Sequence, residues 1–149
     1  MAESKKSLFK PSHPKKYKGD ITNIICRSTW ERKFCSYCDL NENIIEWGSE
    51  EFSIPYPAPD GKVRRYFPDF IMKVKEINGG TKTYVIEVKP AKQTRPPKKR
   101  KKVTSSYLYE CKTYAMNQAK WKAASEWCKD KRIEFKIITE KELGINHGR

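Results

Sequence analysis

The sequence lacks the marks of several large protein classes. No apolar run is long enough to span a bilayer. The lysines of Met1 to Lys18 are not followed by an apolar stretch, so no secretory signal is read there and a cytosolic location is expected. Histidine is scarce: His13 and His147 lie near opposite ends, have no partners by spacing, and take no catalytic role. The five cysteines (Cys26, Cys35, Cys38, Cys111 and Cys128) are an odd number without a leader, which argues against a disulfide framework. Cys35 and Cys38 have the spacing of half a zinc site. No second close pair follows to complete four ligands, so they read better as buried helix cysteines. No internal repeat is visible.

Acidic charge is in the minority. Lysine and arginine number 32 against 18 aspartates and glutamates, a formal net charge of +14. The excess is concentrated. Lys92, Arg95, Lys98, Lys99, Arg100, Lys101 and Lys102 contribute +7, and residues 1–20 contribute +4. Solvated runs would explain such clusters blandly, whereas a polyanion partner, most simply nucleic acid, would use them. At 149 residues the chain suits one domain with one core. Residues 1–21 are polar, lysine-rich and broken by Pro11 and Pro14, and read as a basic, partly flexible arm. Residues 22–149 read as a single domain carrying a basic loop at 92–102.

Local patterns give the order α-β-β-β-β-α-β-α. Ser28-Thr-Trp-Glu31 matches a capping box for a helix to about Asp39. Ile44 to Trp47 and Phe52 to Tyr56 read as short strands, and Val63 to Val74 as a strand interrupted near Pro68. Asn78-Gly79-Gly80 marks a hairpin loop before the buried strand Thr83 to Lys89. A long helix starts at Ser105 or Ser106 and runs through Trp127, with Tyr107, Tyr114, Trp121 and Ala124 on its apolar face. A strand Phe135 to Ile138 and a short helix capped by Thr139 and Glu142 follow. The expected fold class is α/β (α+β), a mixed β-sheet flanked by helices.

Two strings stand out, Phe67-Pro-Asp-Phe70 and Ile86-Glu-Val-Lys89. Each sets carboxylates in an apolar strand, where burial without a partner is expensive. Strand alternation puts Glu87 and Lys89 on one face and Tyr84, Ile86 and Val88 on the other. A loop centred on Gly79 pairs Asp69 with Lys89 and leaves Asp69 diagonal to Glu87, roughly 7–8 Å away. A one-residue slip would separate the carboxylates onto opposite faces. Two carboxylates with open water positions suit Mg²⁺ or Mn²⁺. Such a metal activates water and polarises a phosphate, with Lys89 beside it to neutralise charge and position the water. Glu31 has two readings, helix cap or catalytic carboxylate, which compete for the same oxygens. Glu50-Glu51 reads more simply as a solvated turn than as ligands. Arg27, Arg64 and Arg65 flank the site as phosphate contacts. Asn117, Gln118 and Lys120 fall on the polar side of the long helix, where they can touch a phosphate backbone or simply form a solvated face, and Lys120 is the one taken as a phosphate contact.

Asp69, Glu87 and Lys89, with Glu31 on the first helix, resemble the core motif of the PD-(D/E)xK nuclease superfamily, over roughly Ser28 to Ile138. The resemblance implies a restriction-endonuclease-like αβββαβ core, a divalent metal and phosphodiester hydrolysis. Six further strings are similar to the head-completion nucleases of T-even-type tailed phages: Lys10–Tyr17, Arg27–Phe34, Ser49–Glu51, Arg65–Phe70, Glu87–Pro90 and Asn117–Trp121. Ser-x-Trp-Glu and Phe-Pro-Asp-Phe also resemble the endonuclease subunit of heteromeric transposases. The phage resemblance implies action after DNA packaging, before tail joining, in the cytoplasm of the infected bacterial host or in the virion head.

The resulting expectation is a Mg²⁺- or Mn²⁺-dependent DNA endonuclease. Asp69, Glu87 and the Val88 carbonyl hold metal, Glu31 completes or tunes its shell, and Lys89 assists catalysis. Arg27, Arg64, Arg65, Lys92, Arg95, Lys98, Lys99, Arg100 and Lys120 grip the DNA backbone, with branched or flapped DNA among the expected substrates. Head or portal proteins are expected partners, a homodimer would suit cutting of both strands, and no membrane contact is expected. The competing reading is a catalytically inactive, DNA-binding structural protein of the phage head; RNA as the substrate is a second rival.

Overall fold

In a computed structural model, which describes residues 6–144, apolar runs from the middle of the chain and one near its C-terminal end pair into a four-stranded sheet. The elements are β1 (Ser7–Leu8), β2 (Ile25–Cys26), α1 (Thr29–Leu40), β3 (Ile44–Ser49), β4 (Ile54–Pro57), β5 (Val63–Tyr66), β6 (Phe70–Lys75), β7 (Thr81–Val88), α2 (Ser105–Asp130), β8 (Glu134–Ile138) and α3 (Glu140–Leu143). The sheet order is β3-β6-β7-β8. Its first three strands are antiparallel, and β8 runs parallel to β7. A parallel neighbour needs a long crossover, which α2 supplies. Taken in chain order, α1, β3, β6, β7, α2 and β8 form the expected αβββαβ core of a mixed sheet with helices on both faces. Among the described residues, no helix is long and apolar enough to cross a membrane.

Strand alternation divides the core in two. Phe70, Ile86 and Val88 meet Trp30, Phe34 and Trp47 on the α1 side. Trp121 and Ala124 of α2 cover Ile54, Tyr56 and Tyr66, with Phe135 and Ile137 beside them. Cys35 and Cys38 are fully buried in α1, as small apolar residues would be.

The segment read as one strand, Val63 to Val74, is two strands in different sheets. β5 pairs only with β4, in a ribbon inserted between the first two core strands, while β6 joins the main sheet. Buried Pro68 separates them because it has no N–H to continue a ladder. The isolated ribbon also tolerates Pro55 and Pro57.

The β6–β7 hairpin pairs Phe70 with Ile86 and Lys75 with Thr81, so its loop pivots on Asn78 and not on Gly79. Asn78 Oδ1 accepts from the Gly80 N–H, and Gly79 supplies the positive φ of 89°. The expected register is therefore off by two residues. Extended by one pair, the observed register sets Asp69 opposite Glu87 instead of Lys89. A shift of two keeps every side chain on its expected face.

On α2 the cap is Thr104, one residue before the expected start. The residues it buries are Asn117, Trp121, Ala124 and Cys128. Tyr107 and Tyr114 are not among them, and Asn117, expected on the polar side, is.

The segment expected as a partly flexible arm is laid against the domain from Ser7 onward. β1 pairs with β2, and Phe9 and Tyr17 pack edge-on against Trp47 at centroid distances of 5.9 and 4.8 Å. Asp39, buried at the end of α1, anchors this segment by accepting from Ser12 N–H at 2.7 Å and His13 N–H at 2.9 Å. Asp39→Ala strands both donors, and is expected to lower unfolding stability by about 2–3 kcal/mol in urea titration.

Candidate active site

The break at Pro68 and the start of β6 at Phe70 leave Asp69 at the strand's edge, with its side chain free to turn across the sheet. Its Oδ2 accepts the Val88 N–H at 2.8 Å. Glu87, on the same strand as that donor, is buried with both oxygens engaged. Oε1 accepts from the Tyr66 hydroxyl, and Oε2 lies 3.3 Å from Lys89 Nζ. The Glu87–Lys89 contact is the same-face pairing that strand alternation predicts. Lys89 is itself fixed by its N–H, which donates to Ile138 O at 2.9 Å.

Ser28 caps α1 as expected by accepting from Glu31 N–H at 3.2 Å. The reciprocal half of the capping box is displaced: Glu31 Oε1 accepts from the N–H of Arg27, at 3.1 Å, and not from that of Ser28. This still leaves the Glu31 carboxyl close enough to Asp69 and Glu87 for the groups to feel one another's charge. Burial pushes the Asp69 carboxyl well above the usual carboxylate range, and the charges of Glu87 and Glu31 push it further. Val88 N–H and Lys89 act in the opposite sense. Glu31 is raised too, first by burial, against the pull of the Arg27 N–H, with Glu50 and Glu87 adding to the rise. The result is a focus of mutually repelling carboxyls at the end of the sheet.

A cleft of about 590 Å³ opens over this focus, lined by Arg27, Glu50, Arg65, Tyr66, Phe67, Asp69, Glu87 and Lys120. It therefore gathers Asp69 and Glu87 with three of the expected phosphate contacts: Arg27, Arg65 and Lys120. Arg64 lies elsewhere, ion-paired with Asp60 within the β4–β5 ribbon. Lys92, Arg95, Lys98, Lys99 and Arg100 are not in the cleft wall, and Arg100 is paired with Glu110 at 3.2 Å.

Three participants were not foreseen. Tyr66 is buried beside Glu87, and burial together with that carboxylate holds its phenol far above the usual range, so it remains a donor. Glu50 was read as a solvated turn, but its backbone takes the left-handed conformation (φ 54°), and its N–H donates to Asp69 O at 3.0 Å. Its carboxylate grips Arg27 through two bonds of 2.9 Å. Glu140 accepts the Ala91 N–H at 2.8 Å and so fixes the chain just beyond Lys89. None of these carries a local sequence signal. Glu51 turns away from the cleft and accepts from Tyr17 OH at 2.6 Å.

The donor set consists of hard carboxylate oxygens, which fit Mg²⁺ or Mn²⁺. Among the described residues, no group of three or more His, Cys, Asp or Glu side chains is gathered tightly enough to hold an ion unaided.

Comparison with known proteins gives two findings. Residues 41–140 match the family described as TnsA-like endonuclease N terminal, a span that includes Asp69, Glu87 and Lys89 but not Glu31. The chain is also 40% identical over 138 residues to the head completion nuclease of Enterobacteria phage T4, covering 89% of each chain.

The raised carboxyls give a test by pH. A carboxyl raised in the folded state favours folding most below its unfolded pKa, and that contribution is lost as pH climbs through the folded value. Asp69→Asn keeps an acceptor for the Val88 N–H and removes the charge. In EDTA at pH 8 it is expected to melt above the wild type. The gap should narrow as pH falls toward the unfolded value of about 4 and close below it, where Asp69 is neutral in both states. Thermal unfolding across that range reads the effect.

Proposed function

The chain belongs to the TnsA-like endonuclease family, and from that premise we propose that it is a divalent-metal-dependent DNA endonuclease acting in phage head completion. The observation that carries this reading is the Asp69 carboxylate, bonded to the Val88 N–H and lining one cleft with Glu87, which pairs with Lys89, and with Arg27, Arg65 and Lys120. Asp69, Glu87 and the Val88 carbonyl would hold Mg²⁺ or Mn²⁺, and Glu31 would tune them by its charge. When bound, such a cation polarises the phosphodiester and lowers the pKa of a water.

The chain's own residues do the rest. Tyr66 fixes one oxygen of Glu87, so that carboxylate is oriented before substrate arrives. Lys89 Nζ places positive charge where the pentavalent phosphate gathers negative charge, and can position the attacking water. Arg65 and Lys120 line the cleft as phosphate contacts, with Lys120 Nζ 6.0 Å from the Tyr66 ring centre. Arg27 is held by Glu50 and would exchange that partner for a phosphate. The basic loop 92–102 would add sequence-independent grip outside the cleft.

The phage T4 relative is a head completion nuclease. This chain would take the same place, cutting DNA after packaging in the cytoplasm of an infected bacterium and meeting head or portal proteins there.

Asp69→Ala and Lys89→Ala are each expected to lower plasmid nicking in Mg²⁺ by at least about 100-fold. Both variants should still bind DNA in Ca²⁺, and wild-type cutting by Asp69→Ala would sink the site assignment. Lys98→Ala combined with Lys99→Ala should leave the cutting step intact and weaken binding equally on all sequences. The slope of log affinity against log salt should then fall by about 2, as measured by fluorescence anisotropy.

A further inference from the structure

One side chain in the cleft has no task in the chemistry above. Phe67 is 51% exposed at the cleft wall, although its neighbours Tyr66 and Pro68 are buried. Single exposed apolar residues are ordinary on a protein surface. This one differs in how it is held and in what surrounds it. On one side Tyr66 is tied to Glu87, and on the other Pro68 is fully buried and Asp69 is bonded to the Val88 N–H. The backbone carrying the ring is thus pinned at both ends, so the main chain cannot carry the ring away from the cleft without moving the carboxylate site. Arg27, Arg65 and Lys120 share the same wall. A flat apolar face is therefore presented within a phosphate-binding surface, beside the catalytic carboxylates.

Phosphates offer such a ring nothing, and an intact duplex hides the faces of its bases in the stack. Only a base out of the stack presents a face to it. Resting on the nuclease reading above, we infer that Phe67 stacks on an unpaired nucleobase next to the phosphate held over Asp69 and Glu87. The substrate class this selects is DNA carrying an unpaired base at the cut. A protein occupant fits less well, since it would have to cover the same three cations that the DNA backbone needs.

The test separates base from backbone. Three duplexes are compared: one fully paired, one with a single bulged base, and one whose bulged position is abasic. Dissociation constants are measured in Ca²⁺ for the wild type, Phe67→Ala and Phe67→Trp. The wild type is expected to bind the bulged base roughly 5- to 100-fold more tightly than the abasic bulge. Phe67→Ala should bring that ratio to about one without altering binding to the paired duplex, and Phe67→Trp should keep it. Wild-type indifference to the base, or a ratio unchanged in Phe67→Ala, overturns the inference. So does a Phe67→Ala defect confined to binding of head proteins, which would make the ring a protein contact. Binding is read without cutting, so failure here is separate from failure of the Asp69 and Lys89 assignment, which cleavage alone decides.

Discussion

The hydrogen bond from Val88 N–H to the Asp69 carboxylate is the constraint on which the site depends. In the register of the hairpin, Val88 falls opposite Pro68, where the ladder has stopped. The side chain of Asp69 takes the Val88 N–H that the β6 backbone does not. One bond thereby sets the direction of the Asp69 side chain and its nearness to Glu87. Glu50 reinforces it from the neighbouring strand by donating its N–H to the Asp69 carbonyl. The strained φ of Glu50 is consistent with a position held for function, because its side chain also fixes Arg27 at the cleft mouth.

The arrangement costs stability at the proposed active site. Burial and two neighbouring acidic groups oppose the charge on Asp69, and a fold without a task there would bury an apolar residue instead. Surrounding structure carries that cost. Two apolar clusters clamp the sheet from both faces, and the N-terminal segment adds Phe9 and Tyr17 to the cluster under α1. The excess of positive charge on the same molecule, +14 overall, favours a polyanion partner at a site where Asp69, Glu87 and Glu31 come together.

Much of this was legible in the sequence, and the failures have physical causes. Hydrophobic alternation gave Glu87 and Lys89 a common face, and the Pro68 break located Asp69. The hairpin pivot was misplaced because Gly79 carries the obvious turn signal, while Asn78 closes the loop through its side chain. An even error left the faces intact, so the site survived it. Asn117 was assigned to solvent because polarity was read without knowing how far α2 is covered. Tyr66, Glu50 and Glu140 act through contacts between distant segments, which no local pattern encodes. Glu31 chose a third option, bonding the N–H of Arg27, and so stays near the carboxylates without completing the reciprocal cap.

The proposed cation site formed jointly by Asp69 and Glu87 can be read in crystals soaked in Mn²⁺ and measured for anomalous scattering. One peak is expected within coordination distance of both carboxylates, adjoining the Val88 carbonyl. A peak that engages neither Asp69 nor Glu87, or ordered carboxylates with no peak between them at saturating Mn²⁺, would contradict it.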